Sequence, residues 1–85
     1  MSEFQGAYFV VQGIPFASVL VRPSAISSQK AKEDAVAFFQ PYFPGVPLVL
    51  AAQGSDGRVT FWGKDDLAKF LANNAHAIQW CNYST

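Results

Sequence analysis

His76 and Cys81 are the first pair to test for chemistry, because a thiolate activated by an imidazole is a strong nucleophile. They stand five residues apart. On one strand that odd spacing sends the two side chains to opposite faces, and no acid is placed to orient the imidazole. The plainer expectation is a histidine at a helix end and a cysteine acting as a small hydrophobe. One His and one Cys also fall short of the three or four ligands that zinc takes, so no metal or other cofactor is expected. Asp65 and Asp66 are neighbouring carboxylates. Acid–base work needs two that face one cleft, whereas helix neighbours diverge by about 100°. Both instead suit the first turn of a helix, where negative charge meets the positive end of the dipole. Gly54-Ser55-Asp56-Gly57 lacks the Lys-Ser/Thr of a phosphate loop and leads into a strand rather than a helix. It is expected to be a hairpin turn. Arg22 and Arg58, near opposite ends of strands expected to be adjacent, could hold an anionic ligand or be ordinary strand-end charges. No catalytic set emerges, and the chain leans away from being an enzyme.

The elements that must carry these residues follow from period and punctuation. Ala7–Val11 is aromatic and β-branched, a strand; Gln12 to Pro15 breaks it. Phe16–Arg22 is apolar on both faces for most of its length, as a doubly covered central strand would be. The pattern then turns helical. Ala31, Ala35, Phe38 and Phe39 share a face, joined by Tyr42, with Lys30, Glu33, Asp34 and Ala37 opposite. Ser27 or Ser28 can cap the start, and Pro41 ends the helix near Phe39 or Gln40. Val46–Gln53 is a buried strand, Arg58–Trp62 its hairpin partner, and Leu67, Phe70 and Leu71 mark the apolar face of a second helix ended by Asn73 or Asn74. Ala77–Tyr83 is the last strand.

The order is ββαββαβ, an α+β domain spanning residues 1–85, with residues 1–6 expected as a loose tail. From Pro15 onward it spells βαββαβ, the split unit of the ferredoxin-like fold. That predicts an extra N-terminal strand and both helices on one face of a mainly antiparallel sheet. A weak internal repeat offers a second arrangement. "YFVVQG", a strand and a helix are followed about forty residues later by "LVLAAQG", a strand and a helix. In the ferredoxin-like sheet Ala7–Val11 joins an edge; in the doubled ββα arrangement it forms a hairpin with Phe16–Arg22.

Three families with related elements bear comparison. RNA recognition motifs stack bases on aromatics of two central strands; Phe61 and Trp62 are present, but the glycine-rich basic surround is not. "VQGIPF" (Val11 to Phe16) resembles the phosphate-binding segment of acylphosphatases over six residues. Ala17 stands where that family's arginine belongs, and a strand replaces its helix, so the activity is not carried over. "PGVPLVLAAQGSDGRVTFWGKDDLAKFL" is similar to the C-terminal strand, hairpin and helix of thioredoxins. The redox Cys-x-x-Cys is absent, so the likeness implies fold elements and no activity.

Composition limits function further. Of 85 residues, 51% are hydrophobic and 15% aromatic, but only 14% are charged, against about 25% in a typical globular chain. Six basic residues balance six acidic ones without clustering, which argues against phosphate-backbone binding. A lone cysteine forms no internal disulfide. Glu3 and the lack of a basic N-terminal region argue against a secretory leader. Pro41, Pro44, Gly45 and Pro47 interrupt the uncharged run from Ala35 to Ser55, so no membrane span is expected and the default is cytoplasmic. Large residues are in surplus for so small a core. We therefore expect a non-catalytic interaction module, homodimeric or bound to another protein chain, with Trp62, Trp80, Tyr83, Tyr42 and Phe43 as interface anchors. The alternative is a small-molecule binder or small enzyme with a cleft between sheet and helices or between two chains.

Overall fold

The computed structural model describes residues 3–84. Its elements are β1 (Glu3–Val11), β2 (Ile14–Val21), α1 (Gln29–Phe39), β3 (Leu48–Gln53), β4 (Val59–Trp62), α2 (Asp65–Asn73) and β5 (Cys81–Ser84), with short 3₁₀ turns around them. This is the expected α+β order of five strands and two helices. The strands form one sheet in the order β4-β3-β2-β1-β5. Only β2 and β3 pair in parallel; β1/β2, β1/β5 and β3/β4 are antiparallel.

The first strand forms the hairpin with β2, as in the doubled arrangement. Its turn is two residues long, Gln12 at φ 53° and Gly13 at φ 79°, and positive φ at both positions matches the twist of the strands it joins. With β1 on one side and β3 on the other, β2 has no free edge from Ala17 onward. The parallel pair is therefore bonded directly, with no strand inserted, and the ferredoxin-like strand order does not form.

Nor do the helices share a face. Alternation along the strands sends Ala17, Val19, Leu48 and Leu50 to one side, under Ala35, Val36 and Phe39 of α1. Phe16 and Val49 point the other way, against Leu67 and Leu71 of α2. The reason lies in the central strands: they are apolar on both faces, each face must be covered, and the chain has two helices for the task. Between them Ser18 is buried, and its hydroxyl donates to the Val49 carbonyl at 2.9 Å.

Several boundaries move. β1 begins at Glu3, and Phe4 is in the core, so residues 3–6 are strand and not tail; Met1 and Ser2 lie outside the described residues. Pro15 sits within β2 rather than breaking it. It faces Val10 beyond the reach of β3, whose pairing starts at Ala17, so no ladder needs its missing N–H. β5 is shorter than Ala77–Tyr83, because Ala75–Ala77 is a 3₁₀ turn. In α1 the packed face includes Val36, and Phe38 is 57% exposed.

The helix ends follow local chemistry. Ser28 Oγ accepts the Ala31 N–H at 3.1 Å, and the Asn74 side chain donates to Phe70 O at 2.8 Å to close α2. Between β3 and β4, Gly57 takes φ 85° while Asp56 Oδ1 accepts the Arg58 N–H at 3.0 Å. The uncharged run from Ala35 to Ser55 is accounted for by β3, buried at five of its six positions, and by the connection before it. There the Gln40 amide donates to Phe43 O at 2.7 Å and to Val46 O at 2.9 Å, so Gln40 ties the loop instead of facing solvent.

Candidate functional site

The five aromatic candidates do not meet in one patch. Trp62 is on β4, at one edge of the sheet, half-buried against the α1 side of the core with the Lys32 ammonium 5.2 Å from its ring centroid. Tyr83 is on β5 at the opposite edge, with three strands between, and Trp80 immediately precedes that strand. Tyr83 stacks on Phe4 at 5.2 Å and meets Phe43 edge-on at 5.3 Å. Phe43 is 5% exposed and belongs to the core. Tyr42 packs edge-on against Phe4 at 5.1 Å and keeps an exposed edge. The apparent surplus of large residues is largely absorbed by this ring-on-ring packing, which uses Phe4, Phe39, Phe43 and Tyr83 as one internal stack.

The two arginines come to the same end of the sheet, since Val21 pairs with Ala52 and Val59 with Gln53. They are not on adjacent strands: β3 lies between. Arg58 is extended in solvent with its Nε 3.8 Å from Asp56 Oδ2. Arg22 lines a shallow cavity that also holds Glu3, a poor neighbour for an anion. His76 and Cys81 are both exposed, and the Cys81 thiol lies 4.0 Å from the Gln79 carbonyl. Among the described residues no three His, Cys, Asp or Glu side chains gather as metal ligands, and no helix is long and apolar enough to cross a membrane.

What sequence reasoning missed is the tip of the first hairpin. β5 pairs only with Glu3–Gly6 of β1, leaving one side of Ala7–Val11 without a strand. On the other side of the hairpin, β3 pairs only from Ala17 onward, so Ile14 to Phe16 also run free. The hairpin therefore extends past both neighbours as an arm. Three of the large hydrophobic side chains most exposed among the described residues are on it: Tyr8 at 53%, Val10 at 62% and Ile14 at 54%. One face of the arm is backed by α2, where Phe9 and Val11 join Phe16 and Ile78 in the core. The opposite face, with Tyr8 and Val10, is bare. A cleft of 430 Å³ runs beside the open edge, between Ala7–Phe9 and the chain at Ala77, Gln79 and Cys81. The signal in the sequence was parity: Tyr8 and Val10 alternate with Phe9 and Val11, so a strand covered on one face must expose them.

Comparison with known protein families, curated proteins and solved structures finds no match. The short likenesses to acylphosphatases and thioredoxins gain no support from it.

Proposed function

We propose that this protein is a non-catalytic interaction module that self-associates through a charge-poor surface, with the arm of β1 and β2 at its centre. One observation carries the reading: an uncharged hairpin projects past its sheet neighbours with Tyr8 and Val10 in solvent. Exposed apolar side chains clustered in this way mark contact surfaces in soluble proteins. Natural sheets blunt free edges with charge, proline or very short strands. β4 and β5, with four residues each, use brevity; Pro15 blunts the β2 side of the arm. The β1 side has no such device, since Phe4 to Val21 contains no charged residue.

A second copy fits this surface because neither net charge nor local charge opposes it, and two-fold dimers are the commonest assemblies. Light scattering over a hundredfold range of concentration tests the reading. Mass is expected to rise from one chain towards two, and Val10→Lys, which places a charge on the bare face, is expected to hold the protein at one chain. A single-chain mass at every concentration would overturn it.

A further inference from the structure

We infer that the cavity between β1 and α2 binds a small, uncharged, planar heterocycle whose rim carries a hydrogen-bond donor next to an acceptor, held by the Tyr8 carbonyl and the Val10 N–H. This site is separate from the bare face of the arm and does not depend on self-association. The direction of its backbone groups is set at the turn. A two-residue turn with positive φ at Gln12 and Gly13 is closed by a pair that exchanges both backbone hydrogen bonds, here Val11 and Ile14. Antiparallel pairs alternate between bonded and non-bonded. Phe9 with Phe16 and Ala7 with Ser18 are then bonded pairs, while Val10 with Pro15 and Tyr8 with Ala17 are not. Proline, lacking an N–H, occupies a position where β2 owes β1 none. The Ala17 N–H points away from β1 as this alternation requires, and donates to Pro47 O at 3.0 Å. Tyr8 and Val10 therefore aim their N–H and C=O groups away from β2.

What these groups meet is a space and not a strand. The β5 ladder ends at Gly6 opposite Cys81. Beyond it the chain at Ala77 and Ile78 stands off from β1, and outside the strand ladders residues 7–11 make no backbone hydrogen bond among the described residues. That wall leaves no room for another strand, but the space it bounds with β1 and α2 is about 330 Å³. Small-molecule sites run from roughly 300 to 1,000 Å³ and are mostly apolar with a few placed polar groups. Here Phe9, Val11, Phe70, Leu71 and Ile78 supply the apolar walls. Tyr8 and Val10 send their side chains to the opposite face, so they line the space with their main chain. Asn74 adds an amide oxygen, since its amide nitrogen already donates to Phe70 O. Among the described residues around the cavity there is no Asp, Glu, Lys, Arg or His, and a charged ligand would lose hydration there without gaining a counter-ion.

The kind of ligand follows from which groups are free. In an extended strand the carbonyl of one residue and the N–H two positions later share an edge, while the groups of the residue between them turn the other way. The Tyr8 carbonyl and the Val10 N–H are such a pair. They match a ring system in which an N–H stands beside an unprotonated ring nitrogen: the ring N–H donates to Tyr8 O, and the Val10 N–H donates to the ring nitrogen. Both bonds lie close to the plane of the sheet, so a ligand that makes both is flat, with one face resting on the side chains that α2 covers. Unpaired main-chain groups beside apolar walls favour such a ligand over one that only fills the space.

The test compares two probes of one shape by amide NMR on isotope-labelled protein. One is the azaindole whose pyridine nitrogen lies beside the pyrrole N–H; the other is indole, which lacks that acceptor. The azaindole is expected to bind about tenfold more tightly, the worth of one hydrogen bond, and to shift the Val10 amide signal most. Equal binding of the two, or binding of neither at millimolar concentration, would overturn the site. Val10→Pro removes the one N–H in question at a position that owes β2 none. It is expected to bring the azaindole down to the level of indole, and a preference that survives it would overturn the role of Val10. Ala77→Phe, at an exposed position on the far wall, fills the space and is expected to lose both probes. Unchanged binding to that variant would put the probes elsewhere and overturn the site. Circular dichroism checks the fold of each variant; should Val10→Pro fail to fold, the probe pair and Ala77→Phe still decide.

Discussion

A methyl group added at Gly6 would come within 3.1 Å of Tyr83 Cε2 and 3.2 Å of Phe43 Cζ. The absence of a side chain there lets two rings close over β1, which is how Phe43 enters the core and Tyr83 packs against it. We expect Gly6→Ala to destabilise the fold by about 1–3 kcal/mol, the range for forcing extra volume into a packed core. Urea unfolding checks this, and a midpoint equal to that of the parent would show that the rings yield freely. From sequence alone Phe43 looked like a surface anchor, because the large residues exceeded what so small a core was expected to hold. What buries it is Gln40, whose amide holds the Phe43 and Val46 carbonyls, and a glutamine beside a proline gives no sign of that role. Ser28 as a cap was legible, since its oxygen needs only the first turn of α1 for a partner.

At the scale of elements, the hairpin of β1 and β2 depends on a turn that is not ideal. Gln12 is the one non-glycine residue with positive φ among the described residues, and a left-handed conformation costs most residues roughly 1–2 kcal/mol, less for asparagine. Gln12→Asn should therefore raise stability by up to about 1 kcal/mol, read as a higher melting temperature. An unchanged or lower value would mean that the turn is not strained by its side chain. The two helices differ as well. α2 buries Leu67 and Leu71, whereas α1 contains no fully buried residue. Amide exchange is expected to be faster in α1 than in α2 and slowest in β2 and β3, since local opening follows buried contacts. Equal protection of both helices would contradict this. Helix positions, caps and the hairpin of β3 and β4 were readable because each depends on residues within a few positions of one another.

For the whole molecule, the decisive feature is unequal strand length. A nine-residue β1 lies beside a four-residue β5, and the excess is what leaves an edge open. The same difference separates the surface that sequence composition suggests from the one the fold exposes. Trp62, Trp80, Tyr83 and Phe43 are large and apolar, but they are half or fully buried, and Tyr42 alone of that set keeps a well-exposed ring. Val10 and Ile14 attract no notice in the sequence. They become prominent only because their neighbours in the sheet stop short. Any assembly through the arm is therefore a property of the sheet as a whole, and the mass measurement proposed above belongs to this scale.

The sequence by itself determined the order ββαββαβ, the caps of α1 and α2, the turn at Gly57 and the double-sided apolar character of β2 and β3. All of these are set by short-range periodicity, capping and turn stereochemistry. The tertiary structure decided the sheet order, the side each helix covers and the residues left in solvent. Those outcomes depend on competition for the edges of β2. A two-residue turn brings β1 to one edge at little entropic cost, and α1 brings β3 to the other, so the strands that follow can only add outside. No single segment encodes that result, because each strand would pair acceptably with several others; chain connectivity and the need to cover both faces select one arrangement.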